Sequence, residues 1–118
     1  MNETLSPQER IKKKKDFFLL YKKGNHYRGK YLIILHLPNE FDFSRMGVVV
    51  SKKIGNAVKR NKIKRWIRTL FRRNKSLIKN SLDFIIIAKK EIREASWIEV
   101  QEDYLKAIKS INQKYQSA

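Results

Sequence analysis

The amino-acid sequence predicts an α+β or α/β domain, a small β-sheet covered by helices on one face. Three observations lead there. Apolar runs of strand length recur over residues 30–37, 45–51 and 82–89, and segments with apolar residues at helical spacing precede, separate and follow them. The passage 45–89 reads strand, helix, strand, long enough for a crossover between parallel strands. At 118 residues, with 42% hydrophobic residues, the chain suits one domain over 1–118 with a single core that offsets the entropy lost on folding.

The first element is signalled by Ser6-Pro7-Gln8-Glu9, with Ser6 as N-cap, Pro7 at the first helical position and Glu9 completing a capping box. The helix is expected to run over 10–23 and to stop at Gly24. KYLIILHL (30–37) is near-continuous in apolar character, which implies a strand covered on at least one face. PNEFDFS is a turn, RMGVVVS (45–51) a second strand, and Gly55-Asn56 caps a helix that continues to Arg73. LDFIIIAK (82–89) is the last strand. Trp97, Val100, Tyr104, Leu105 and Ile108 then mark a helix over 96–113, with Ser96 as its cap.

Charge dominates the composition: 28 Lys and Arg against 11 Asp and Glu give a formal net charge of +17. Self-repulsion of that size points to a polyanionic partner. The chain has no cysteine, which removes disulfide frameworks, thiol nucleophiles and thiolate metal sites. Its N-terminus lacks a signal-like apolar stretch and no run approaches the roughly 18 apolar residues of a membrane span, so a soluble cytoplasmic protein is expected.

The middle helix concentrates that charge. At about 100° per residue, Ile63, Trp66, Ile67, Leu70 and Phe71 form one stripe, with Asn61, Arg65, Arg68 and Arg72 opposite, Lys62 and Lys64 flanking, and Arg60 at the margin. A charged helix face is ordinarily just solvated. Here no Asp or Glu occurs from Phe43 to Leu82, so pairs such as Lys64 with Arg68 repel by about 0.2–0.5 kcal/mol each. Cations in the first turns also oppose the helix dipole, at about 0.3–1 kcal/mol apiece. Phosphates laid along this face would reverse both penalties and release condensed counterions. Nucleic acid is therefore the expected ligand. A strand before the helix and another after it do not suit a helix-turn-helix. Phe17 and Tyr21 stand at i and i+4, with Phe18, Tyr27 and Tyr31 nearby; these rings are either core or a platform for single-stranded RNA.

The stretch SKKIGNAVKRNKIKRWIRTLF resembles the signature of the bacterial ribonuclease P protein subunit, a Ser-Lys-Lys-x-Gly-Asn-Ala turn leading into an Arg-Asn-Arg helix. IKKKKDFFLLYKKG, YLIILHL and LDFIIIAKK extend the likeness over nearly the whole chain. The resemblance implies an αβββαβα order, with a short extra strand near 26–28 and a left-handed crossover around the basic helix, against the usual rule. It also implies that Arg60, Asn61, Lys62, Lys64, Arg65 and Arg68 contact the catalytic RNA, with Lys52, Lys53 and Asn56 on the same surface or the adjoining cleft. Phe17, Tyr21 and Lys53 would meet the 5′ leader of precursor tRNA between the first helix and the sheet. Two departures stand out. Lys62 replaces the second arginine of the motif, keeping charge but losing the planar fork. Leu35 falls where some relatives carry tyrosine, so one contact to the leader would be missing.

The polypeptide's own residues argue against its cutting RNA. His26 and His36 lie in different segments with no motif around them, and the carboxylates show no clustered metal-ligand spacing. In agreement, the resemblance implies an endoribonuclease whose RNA subunit holds Mg²⁺ and performs the hydrolysis. No catalytic or metal-binding residue is expected on the chain. The expected partners are that RNA and precursor tRNA, with no membrane and the protein itself monomeric. A ribosomal or RNA-chaperone protein is the alternative reading of the same composition.

Overall fold

Four strands, β1 (Asn25–Arg28), β2 (Leu32–Pro38), β3 (Arg45–Val49) and β4 (Leu82–Ala88), form one sheet in the order β1-β2-β4-β3. The structure is a computed structural model and describes residues 6–116; residues 1–5 and 117–118 of the expected domain lie outside the described residues. β2 pairs antiparallel with both β1 and β4, whereas β3 runs parallel to β4. The connection between that parallel pair contains the long helix α2 (Ala57–Arg73), while α1 (Lys14–Lys23) precedes the sheet and α3 (Trp97–Gln116) ends the chain. The order is thus αβββαβα.

Helices lie on both faces of the sheet, not on one as the sequence pattern suggested. Leu32, Ile34, Phe84 and Ile86 point with Met46 into a core shared with Ile63, Ile67, Leu70 and Phe71 of α2 and Val100, Tyr104 and Ile108 of α3. The alternate residues Leu35 and Ile85 pack against Leu20 of α1 and Ile11, with Phe17, Ile33, Val49 and Ile87 around them. Side chains alternate across a strand, so a strand of unbroken apolar character needs cover on both sides. β2 and β4 are the two central strands, and both are nearly all apolar.

The first helix is shorter than expected. Ser6 N–H does donate to Glu9 Oε1 at 3.0 Å, but the motif closes only a 3₁₀ turn, Pro7–Glu9. Residues 10–13 are extended or irregular: Arg10 bridges to Met46, and Ile11 N–H donates to the Met46 carbonyl at 3.0 Å. Burying Ile11 between α1 and the sheet outweighs continuing a helix whose next residues, Lys12 to Lys15, repel one another. α1 therefore begins at Lys14.

His36 shows how the α2–α3 face is closed at its β1 end. Asn25 Nδ2 donates to Tyr115 Oη at 3.1 Å, so the tyrosine's own proton is free for His36 Nδ1 at 2.8 Å, which assigns a neutral ring with its proton on Nε2. Burial, then the charges of Lys114 and His26, pull the His36 pKa down from 6.5 to about 4. The unfolded chain binds this proton first. Stability contributed by neutral His36 is thus present above pH 6.5 and lost as pH falls through about 4, by at most ~3 kcal/mol. An NMR titration should find the His36 ring neutral at pH 5.5; a midpoint at or above 6 would contradict this environment.

Candidate nucleic-acid interface

The approach to α2 is built by a glycine and a cap. Gly55 has φ 152°, a conformation that side chains disfavour, and it turns the chain out of a 3₁₀ turn, Lys52–Ile54, into Asn56. Asn56 Oδ1 accepts from Lys59 N–H at 2.9 Å, so this residue's oxygen is committed to capping the helix. Lys52 and Lys53 are exposed beside it.

Along α2 the apolar stripe lies where expected, with Trp66 half-buried and edge-on to Trp97 at 5.8 Å. The three residues of the signature do not share a face, because consecutive helical positions are about 100° apart. Arg60 folds back, its Nε donating to the Gly55 carbonyl at 3.1 Å. Lys62 lies on the other flank, Nζ 5.0 Å from the Trp66 ring centroid, and Lys64 is half-buried. Asn61 instead joins Arg65, Arg68, Thr69 and Arg72 around a shallow depression of about 430 Å³.

That depression is electrostatically unbalanced. Arg68 is half-buried, and its affinity for its proton is lowered by burial and then by the charge of Arg10. Arg72 donates to Thr69 Oγ1 at 3.2 Å, while its Nε is buried and finds no hydrogen-bond partner among the described residues. Among the described residues no carboxylate pairs with Lys52, Lys53, Lys62, Lys64, Arg65 or Arg68; the ion pairs lie elsewhere, joining Arg45 to Asp16 and Asp83, and Lys75 to Glu9. A cluster of guanidinium groups with unfilled donors and no counter-charge is suited to phosphate. Arg72 was placed in this cluster by helical spacing but not among the expected contacts. Arg10 gives no such signal in the sequence, because its segment has the pattern of a helix.

The aromatic residues divide by strand parity and helix face. Phe17 is half-buried and lies directly on the sheet, so close that a Cβ on Gly47 would fall 2.8 Å from its Cζ. Tyr21, one turn on, is 48% exposed. Ile33, Ile87 and Val49 are partners across three adjacent strands and remain half-buried, forming an apolar row on the same face of the sheet as Phe17. Lys53 follows just beyond the end of β3. Tyr27 and Tyr31 do not join this group. Both pack on the α2–α3 side, Tyr31 almost wholly buried with its hydroxyl donating to Glu99 at 3.2 Å. Leu35 is buried beneath α1.

The two histidines neighbour each other across the β1–β2 ladder, His26 opposite Leu35 and His36 opposite Asn25. They therefore point to opposite faces of the sheet, which no acid-base pair acting on one phosphate could do. Asp16 and Asp83 are engaged by Arg45, and Asp103 accepts from three backbone N–H groups.

The model of the family Ribonuclease P matches residues 5–112 of this chain. The ribonuclease P protein component of Thermotoga maritima is 40% identical over 94 residues, covering 80% of each chain. That of Syntrophus aciditrophicus is 49% identical over 86 residues, covering 73% of this chain and 72% of the other. Among solved structures, a Staphylococcus aureus RNase P protein mutant with defective mRNA degradation activity superposes with a TM-score of 0.83 at 38% identity, covering 88% of both chains. No helix among the described residues is long and apolar enough to cross a membrane. In sequence signature, strand order and the matched length, this chain belongs to the ribonuclease P protein family.

Proposed function

We propose that this chain is the protein subunit of ribonuclease P, which binds the catalytic RNA subunit and the 5′ leader of precursor tRNA and so assists endonucleolytic removal of the leader. The carrying observation is the cationic face of α2, whose Arg65 and Arg68 meet no carboxylate among the described residues. The RNA subunit would lie on this face, centred on Asn61, Arg65 and Arg68, with Arg60, Lys62 and Lys64 on the flanks, and Lys52, Lys53 and Asn56 at the helix entrance. The leader would run along the row Ile33–Ile87–Val49, its bases against Phe17 and Tyr21 and its phosphates near Lys53. An apolar floor with rings and a cation beside it suits a single strand of any sequence.

Hydrolysis is assigned to the RNA. Two observations support this: no three His, Asp or Glu converge among the described residues, and Asp16, Asp83 and Asp103 are committed to arginine or backbone donors. Mg²⁺ is placed on the RNA subunit, and this polypeptide screens phosphates and positions the substrate. It works as a monomeric protein in the cytoplasm.

Cleavage of a precursor tRNA at limiting Mg²⁺ tests this, comparing the RNA subunit alone, the protein alone and the two together. The mixture should cleave fastest and the protein alone not at all. No gain on mixing would leave only a general RNA-binding role, and cleavage by the protein alone would refute the assignment of chemistry. Tyr21→Ala should weaken binding of a leader-bearing precursor by ~1–2 kcal/mol, about 5- to 30-fold, and leave mature tRNA unaffected.

A further inference from the structure

On the flank of α1 away from Phe17 and Tyr21 lies a second groove, of about 770 Å³, between the N-terminal segment and the turn that joins β2 to β3. Leu19 lines it and is two residues from both aromatics, so it projects about 160° away from them around the helix. Lys12, Lys13 and Lys15 line the same side, and Phe41 stands in the opposite wall. Phe41 and Leu19 leave 47% and 42% of their surface in water. Phe41 is nonetheless held in place, stacked on Phe43 at 5.2 Å and with the Arg45 guanidinium 4.7 Å from its ring centroid.

The groove's charge is not neutralised internally. Of its three carboxylates, Asp16 and Asp83 are engaged by Arg45, which leaves Glu40 against Arg10, Lys12, Lys13 and Lys15. None of those four cations has a carboxylate partner among the described residues. Arg10 also makes the groove continuous with α2. It lines the groove, it is fixed by its bridge to Met46, and its charge reaches Arg68. One cationic surface therefore runs from Asn61 and Arg65 over Arg68 and Arg10 to the lysines.

We propose that an unpaired segment of the RNA subunit seated on α2 continues over Arg10 into this groove, its phosphates on Lys12, Lys13 and Lys15 and its bases against Leu19 and Phe41. Apolar walls between cations take a single strand; a duplex would hide its bases and leave those walls wet. The leader is not the occupant, because its row and rings lie on the other flank of α1. This inference rests on the reading of α2 as the seat of the RNA subunit.

The test uses the full chain, the RNA subunit and a leader-bearing precursor tRNA, with binding followed across a salt series. The variant Lys12→Ala/Lys13→Ala/Lys15→Ala should flatten the dependence of log affinity on log salt by about 2 units, near 0.7 per lost single-strand contact. Phe41→Ala should weaken binding about 5-fold or more with the slope unchanged. A benzophenone side chain in place of Phe41 should cross-link to unpaired nucleotides of the RNA subunit. Wild-type affinity and slope in both groove variants, with Arg65→Ala/Arg68→Ala still flattening the slope, would overturn the groove and leave the α2 reading standing. Loss of the Arg65/Arg68 effect as well would overturn both. A cross-link to the leader, or to a second copy of the chain, would give the groove a different occupant and overturn the proposal.

Discussion

Replacing Arg65 and Arg68 together with alanine is expected to weaken binding of the RNA subunit by ~3 kcal/mol at low salt, more than 100-fold, since each charge-assisted hydrogen bond contributes about 1.5–3 kcal/mol. The salt slope should fall by about 1.4–1.8 log units, two contacts at 0.7–0.9 each. Fluorescence anisotropy of a labelled RNA subunit over a potassium chloride series measures both quantities. The same variant separates function from stability. Arg65 is exposed, and Arg68 is half-buried with its charge facing Arg10. Removing them deletes no ion pair among the described residues and relieves repulsion, so thermal stability should hold or rise while binding collapses. Unchanged RNA affinity would mean that this face carries cations for no ligand. A large loss of stability would mean that the arginine stems were packing elements first.

Much of this was legible in the sequence because the informative patterns are local. The stripe from Ile63 to Phe71 reads directly as the buried side of α2, and the absence of acids from Phe43 to Leu82 reads as a face without internal counter-charges. The Ser96 cap also appears as expected, with Ser96 Oγ accepting from Glu99 N–H at 3.2 Å and Glu99 returning the bond at 2.9 Å. β1 was visible only through the family resemblance. Asn-His-Tyr-Arg alternates half-buried and exposed residues and has no apolar run to announce a strand.

What stayed hidden was long-range. Periodicity cannot tell that Ile11 leaves the helix to pair with β3, because that preference is decided by a residue 35 positions away, Met46. Placing Tyr31 beside Phe17 followed from proximity in sequence, yet strand parity and α3 put it in the other core. The signature itself misleads in a similar way. Arg60, Asn61 and Lys62 are adjacent in the chain and diverge in space, whereas the depression on α2 is made by the i, i+4 series Asn61, Arg65 and the i, i+4 pair Arg68, Arg72.

Asp103→Ala is expected to have the largest effect on stability, about 3–5 kcal/mol out of a typical total of ~5–15. Its carboxylate, buried at the end of α3's second turn, accepts from the backbone N–H groups of Lys30, Tyr31 and Leu32 at 3.0, 2.8 and 3.1 Å. Gly29 makes room for it: a Cβ there would fall 2.7 Å from one carboxylate oxygen. Alanine would orphan three donors, two of them buried. Asp103→Asn keeps one oxygen and should lose less. Urea unfolding measures the difference, and a loss under 1 kcal/mol for alanine would show that water satisfies these groups. The consequence reaches the proposed interface, because these N–H groups start β2, and β2 carries Ile33 and Leu35 to the face that α1 covers. A register slip of one residue would turn that apolar row to the wrong side of the sheet. In conditions where Asp103→Ala remains folded, it should therefore impair leader binding while RNA binding at α2 persists.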